Sequence, residues 1–322
     1  MTMENKSRPG AFVISLDLEL YWGVRDKRSI EQYRENLDGV RNAVKEILAL
    51  FTKYGIHATW ATLGFLYFKN AKELKQNLPD TLPEYEDEAL SPYKYIQQAG
   101  NIDDHYHFAP DLIKLIQNTP GQEIATHTFS HYYCLEKGQT AETFKADIQA
   151  AIKTAAANGI KTESLVFPRN QWNPEYLPIL DELGIKCYRG TEKSWLHKAV
   201  SQQGESKLRR ALRLMDAYVN LSGYHTHAVD EHLTQKPVNI AASRFLRPYN
   251  RRLAFLDGLR LRRIKKAMTH AARTGQVFHL WWHPHNFGTA RSENLAFLNK
   301  VLEHFVELKR QQPFQSMSMR ML

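Results

Sequence analysis

An α/β protein built on parallel strands, as an open sheet or a barrel, is the fold class this sequence predicts. Two observations carry it. Short apolar segments with strand periodicity alternate along the chain with longer segments of helical periodicity. Polar residues suited to chemistry recur just after the strand segments, where sites of parallel α/β folds collect. The length of 322 residues accommodates one large barrel or two domains, at roughly 100–200 residues per domain. A hydrophobic share of 43% is enough for a large core without staples.

The elements follow in order. Residues 10–20 read as a strand, with Phe12, Ile14 and Leu16 alternating against Val13, Ser15 and Asp17. A helix is predicted over 38–54. Asp38 is its N-cap, its apolar stripe is Val40, Val44, Ile47, Leu48 and Phe51, and Gly55 ends it. The next strand is 56–64. Residues 65–105 read as an irregular insertion containing an acidic stretch from Pro79 to Pro92. A helix near 110–117, a turn at Pro120-Gly121 and a strand at 123–126 come next. An alanine-rich helix over 140–157, a strand at 165–167, a helix over 174–183 and a strand at 185–188 continue the alternation. Residues 193–275 read as a second, basic and helical insertion. A buried strand at 277–282 and a helix over 291–310 complete a single domain across 1–322.

Composition excludes several classes. Two cysteines, Cys134 and Cys187, exclude a disulfide scaffold and any Cys-rich metal site. No run approaches the ~18 apolar residues of a membrane span. The stretch Ala11–Leu16 is too short for a signal-peptide core and runs into Asp17. The expectation is a soluble cytoplasmic protein. The net charge of +9 is concentrated: residues 207–273 carry +11 and the rest −2. Basic residues there flank Leu253, Phe255, Leu256, Leu259, Leu261 and Ile264, the pattern of basic amphipathic helices that lie on anionic lipid. The same pattern also suits ordinary basic helices packed on the domain.

Four segments carry chemistry. Asp17 and Glu19 are two apart, so on a strand both face one way, and they repel unless a cation or proton lies between them. His127 and His131 form an HxxxH pair. That spacing places both imidazoles on one side of a helical turn and suits a single metal. Arg169 follows the strand at 165–167, and its fork can hold a carboxylate. His283 ends the strand at 277–282, just before Pro284, placed to donate a proton. Alone, each also reads as a polar strand end, a chance pair, a surface arginine or a core histidine. Together they are the inventory of a metal-assisted amide or ester hydrolase. Two further HxH pairs, His225 with His227 and His105 with His107, compete as metal-ligand candidates but read more simply as loop residues.

At these residues the sequence resembles the polysaccharide deacetylase family (carbohydrate esterase family 4). Ile56-His57-Ala58-Thr59-Trp60 after Gly55 is similar to the family's Gly-x-x-Ala-Thr-aromatic strand. Gly121 to His131 is similar to its Gly-x-Glu-Ile-x-x-His-(Ser/Thr)-x-x-His motif. The resemblance spans roughly 11–192 and 276–290. It implies a distorted (β/α) barrel of about seven strands. It further implies Asp17 as general base and His127 and His131 as metal ligands. Arg169 would position Asp17, and His283 would protonate the leaving amine. Trp22, Trp172 and Tyr188 would line the sugar pocket. The implied cofactor is a divalent metal, zinc first and nickel or cobalt as alternatives. The first motif departs from the family's adjacent aspartates, because Leu18 intervenes and the second acid is Glu19. This spaced pair, with His283-Pro284, resembles a divergent branch that also includes enzymes opening cyclic amides. Either Asp17 or Glu19 could then be the metal ligand. The expected activity is removal of an N-acyl group from a sugar of a surface polysaccharide or of its lipid- or nucleotide-linked precursor. The expected place is the cytoplasm, with peripheral contact to the inner membrane face through 207–273 and no nucleic-acid partner. A hydrolase of cyclic amides or imides and a non-catalytic glycan-binding relative are the rival readings.

Overall fold

The computed structural model describes residues 9–100, 102–198, 206–228 and 236–322. Among the described residues, nine strands form one sheet: β1 (Gly10–Leu18), β2 (Ala58–Thr62), β3 (Gln122–Thr126), β4 (Ser164–Val166), β5 (Cys187–Arg189), β6 (Val238–Asn239), β7 (Arg244–Phe245), β8 (Val277–Trp282) and β9 (Phe314–Met317). The order is β6-β5-β4-β3-β2-β1-β8-β7, with β9 pairing beside β1, and every pairing is parallel. The sheet curls into a distorted barrel. Residues 238–246 close it by changing partners. Ile240 and Ala242 donate to the carbonyls of Tyr188 and Gly190, then Ser243 and Leu246 donate to those of His279 and Trp281. The three strands beyond the six read from the sequence are β6, β7 and β9, two of them only two residues long. So short a segment has no periodicity to read.

The main helices pack around the sheet: α1 (Ile30–Tyr54), α5 (Pro110–Gln117), α6 (Ala141–Ala157), α7 (Leu177–Glu182), α9 (Asp257–Thr274) and α10 (Arg291–Gln311). Helix α1 begins eight residues earlier than the predicted 38. Ser29 and Gln32 make a reciprocal capping box there, while Asp38 accepts a bond from the Tyr106 hydroxyl. Gly55 ends the helix at φ 62°, a conformation glycine adopts without Cβ strain. Pro174 and Pro178 shorten the predicted helix at 174–183 to α7, preceded by a 3-10 turn. Residues 65–105 are more regular than expected. They contain α2 (Ala71–Lys75), α3 (Pro92–Gln98) and α4 (Asp104–His107), which bury Leu74, Tyr93, Ile96 and Tyr106. The basic segment holds α8 (Lys207–Asp216) and α9. No helix among the described residues is long and apolar enough to cross a membrane. Cys134 and Cys187 are both free and buried.

The barrel interior is layered. Ala11, Val13, Val166, Ile240, Val277 and Met319 form an apolar cluster inside it. Further along the strands come Ser15, Arg189 and His279, all buried, with Arg189 and His279 both hydrogen-bonded to the Ser15 hydroxyl. Asp17 follows at the C-terminal end of β1. The alternate residues Phe12, Ile14 and Leu16 point the other way, into the larger core beneath the helices.

Candidate metal centre and catalytic groups

Strand β1 ends at Leu18, and Glu19 lies in the turn that follows. Its side chain crosses to the loop after β3. Oε2 sits 3.1 Å from His127 Nε2 and 3.0 Å from His131 Nε2, and all three residues are buried. Among the described residues this trio is the group of histidine, cysteine and acidic side chains arranged to hold a metal ion. Asp17 is outside it. Gly23 keeps the Glu19 side chain in place, since a Cβ there would lie 1.9 Å from Oε1.

His127 and His131 do not share a helical turn, contrary to the expectation from their spacing. Thr128 and His131 adopt positive φ (66° and 63°), which breaks any helix and turns both rings toward Glu19. Asp147 of α6 holds this loop. Its carboxylate accepts the Phe129 and Ser130 amides at 2.7 and 3.1 Å and the Ser130 hydroxyl. Burial pushes the Asp147 carboxyl up to about 6 against those three bonds.

The hydrogen bonding tests whether the trio suits a cation. His127 Nδ1 lies 2.8 Å from the Val166 carbonyl, an acceptor only, so Nδ1 carries the proton. In the neutral ring Nε2 then presents a lone pair to a carboxylate oxygen. Two acceptors facing each other at 3.1 Å require a cation or an added proton. His131 Nδ1 is buried without a hydrogen-bond partner, and burial pulls this ring down to about 4, which favours its neutral form. One carboxylate and two neutral imidazoles are the donor set of a catalytic zinc-type site. The residues fit the group.

Asp17 is gripped by Arg189, the last residue of β5. The guanidinium donates to Oδ1 at 2.7 Å and to Oδ2 at 2.8 Å. Arg189 also reaches Ser15 Oγ at 3.0 Å and Asn170 Oδ1 at 2.9 Å, and its charge lies 4.1 Å above the Trp281 ring. His279 supports the layer. Its Nδ1 faces the Ile240 carbonyl and its Nε2 faces Ser15 Oγ at 2.8 Å, so the Ser15 hydroxyl donates to His279 while accepting from Arg189. Burial alone would raise both carboxyls. Arg189 is the main group that brings Asp17 below its usual range, and His283 is the main charge that holds Glu19 well below.

Arg169, the arginine expected to position Asp17, makes a different pair. It lies in the loop after β4 at φ 55°, over the Tyr133 ring at 4.3 Å, and its guanidinium pairs with Asp26. The strand register explains the exchange. Strand β5 extends one residue beyond the predicted 188, and alternation turns Arg189 inward and Tyr188 outward. The available signal was an arginine ending a short apolar strand.

His283 Nε2 lies 3.7 Å from Asp17 and 3.5 Å from Glu19, and with 24% of its side chain exposed it is open to the cavity. It stacks on His285 at 5.0 Å, a ring that burial pulls down to about 3. The cavity is about 460 Å³ and includes Asp17, Glu19, His131, Arg169, Trp281 and His283 in its wall. The three expected sugar-pocket aromatics are not in that wall. Trp22 is fully buried, donating to the His107 carbonyl at 2.6 Å. Trp172 and Tyr188 pack on each other at 6.0 Å in the cluster around Phe144 and Phe167. Trp281 and Phe245 supply the aromatic wall instead. The other histidine pairs also have structural partners. His107 lies between the Asp103 carbonyl and the Tyr95 hydroxyl, His225 meets Ser222, and His227 bridges to Val277.

No curated protein matches the chain by sequence. Solved structures match it in fold. A Mycobacterium smegmatis protein assigned to the polysaccharide deacetylases is 13% identical, with a TM-score of 0.61 over 98% of this chain and 90% of its own. A Pseudomonas aeruginosa PAO1 protein with the same assignment is 10% identical (TM-score 0.55, 96% and 87% covered). The Puue allantoinase is 12% identical (TM-score 0.52, 96% and 87% covered). The polysaccharide deacetylase family model matches residues 38–188, a segment that contains His127 and His131 and ends one residue before Arg189. Over that segment, just under half of its length, the chain is similar to the polysaccharide deacetylase family, and its barrel is the fold those solved structures share.

Proposed function

We propose that the protein is a metal-dependent hydrolase that removes an N-acyl group from a sugar of a polysaccharide or of its precursor. The observation that supports this most is the convergence of Glu19, His127 and His131 with the Asp17–Arg189 pair and the accessible His283, with Asp17, Glu19, His131 and His283 in the wall of one cavity. Glu19, His127 and His131 would hold a divalent ion, which would supply Lewis acidity for the amide carbonyl and for a water. Asp17 accepts that water's proton. Arg189 occupies both Asp17 oxygens in the plane of its guanidinium, which orients the carboxylate and keeps it ionised. His283 gives its proton to the departing nitrogen, so that an amine leaves and not an amide anion. Trp281 and Phe245 offer apolar ring surface beside His283 for a sugar face.

The test is metal content together with turnover. About one ion per chain, lost in His127→Ala/His131→Ala, with release of acetate from N-acetylated sugars, supports the reading. Protein that cannot be loaded with zinc, cobalt or nickel overturns it. Turnover of cyclic amides alone would favour the small-molecule hydrolase instead.

Peripheral contact with an anionic membrane is a second, separate part of the proposal. Leu208, Met215 and Phe255 are 70%, 54% and 80% exposed, and they stand among the arginines of α8 and the segment entering α9. Cationic side chains around exposed apolar ones suit an anionic lipid surface.

A further inference from the structure

The cavity does not end at the candidate centre. It continues to Arg213 on α8, Arg244 of β7 and Arg247 just beyond β7. Its wall holds six lysines and arginines against three carboxylates, and two of those, Asp17 and Glu19, belong to the centre itself. The third, Glu192, accepts the Trp281 indole N–H at 3.3 Å.

The three arginines differ in their partners. Arg244 pairs with Asp216 at 2.6 Å, and the same carboxylate also faces Arg263 at 3.5 Å. One acid thus serves two guanidinium groups. Arg213 reaches the Leu196 carbonyl at 3.4 Å. Arg247 has no ion pair among the described residues. Its strongest charged neighbours are Arg213, Arg244 and Arg260, with Tyr218 as the ionisable group that favours its charge. A half-buried guanidinium without an acid, as at Arg247, beside one that shares its acid, as at Arg244, is costly unless an anion meets them. Guanidinium forks match the oxygens of phosphate bidentately, and several of them together suit an anion of more than one charge.

We propose that the end of the cavity formed by Arg213, Arg244 and Arg247 is a phosphate subsite, so that the sugar presented to Asp17 and His283 is one joined to a phosphate or diphosphate. The inference rests on the amide-hydrolase reading for its substrate, but the subsite can be tested without turnover. The phosphate has two chemical sources, a nucleoside diphosphate or a prenyl diphosphate carrier. Both present the same group to the arginines.

The experiment titrates inorganic pyrophosphate into metal-stripped protein at fixed ionic strength, read by calorimetry. Stripping removes the metal as an alternative binding place. Wild type binds, Arg247→Gln binds at least about tenfold more weakly, and Arg247→Lys falls between, because a lysine keeps the charge without the fork. His127→Ala/His131→Ala binds pyrophosphate as wild type does. Absence of binding, or equal binding by wild type and Arg247→Gln at unchanged thermal stability, overturns the subsite. Equal turnover of N-acetylglucosamine and its diphosphate-linked forms would also overturn it, while leaving the hydrolase reading intact. Conversely, pyrophosphate binding that depends on Arg247 in a protein without amidase activity separates the failure of that reading from the subsite. Displacement of pyrophosphate by uridine diphosphate or by a micellar prenyl diphosphate supports the subsite, and the tighter of the two names the source.

Discussion

Arg189 and Asp17 face each other across the barrel through two parallel hydrogen bonds of 2.7 and 2.8 Å, both side chains removed from solvent. Removing one partner of such a pair strands a buried charge, which costs about 3–5 kcal/mol. Arg189→Met is expected to lower unfolding stability by that order in denaturant titrations. It is also expected to abolish measurable hydrolysis. Arg189→Lys should recover part of the stability and little of the rate, since a lysine cannot hold both carboxylate oxygens in plane. Full activity in Arg189→Met would show that Asp17 needs no such support.

Gly23 offers a separate handle on the centre. A methyl group at that position occupies the space of the Glu19 carboxylate, while Gly23 itself has no positive φ that alanine would strain. Gly23→Ala is therefore expected to fold and to bind zinc at least about tenfold more weakly, the range seen when ligand orientation is disturbed. Competition with a chromogenic chelator measures this directly. Wild-type affinity in the variant would show that Glu19 is free to take another rotamer.

Asp216 links the basic segment to pH. Burial pushes its carboxyl up, but Arg244 and the Ser222 bonds outweigh it and hold the carboxyl well below the usual range. A depressed folded value means that the contribution is whole above the unfolded value of ~3.9 and disappears as pH falls through the folded one. Asp216→Asn should thus be less stable than wild type at pH 7, by about 3–5 kcal/mol. The gap should narrow steadily below pH ~3.9. A gap independent of pH would mean that packing and not charge is what Asp216 contributes.

Vesicle binding tests the exposed apolar residues. Co-sedimentation with vesicles rich in anionic lipid is expected, weakening with salt as screened charge does. Leu208→Glu/Phe255→Glu should remove it without changing the melting temperature, because both side chains are mostly solvent-exposed already. Equal failure with anionic and zwitterionic vesicles would remove the membrane part of the proposal.

Much of this fold was legible because its long elements advertise themselves. The stripe from Val40 to Phe51 and the apolar strand from Val277 to Trp282 both lie where periodicity placed them. Chain order at strand ends pointed to Asp17, Glu19, His127, His131 and His283, which the structure brings to one cavity region. The arginine partner was not legible. Whether Arg169 or Arg189 reaches Asp17 depends on the register of a three-residue strand, and one position decides which side chain points inward. The aromatics failed for a similar reason. Trp22 looks equally suited to a sugar or to a core, and only the packing of residues 65–107 over it decides for the core. The helical reading of His127 and His131 failed because loop conformation answers to a distant residue, Asp147, and not to the local sequence.

The place of β1 in the sheet sets the order in which this protein can assemble. Its neighbour β2 arrives soon after it in the chain, but β8 and β9 come far later, and the Ser15–His279 contact spans 264 positions. Loop closure over such distances is entropically expensive and slow to find. A nascent or refolding chain can therefore form helix α1 and the β1–β2 pair long before Asp17 meets Arg189 or His283. Until then Asp17 is an unpaired carboxylate without the arginine that orients it. Assembly of the catalytic pair is in this sense a later event than assembly of the three metal ligands, which all lie within residues 19–131.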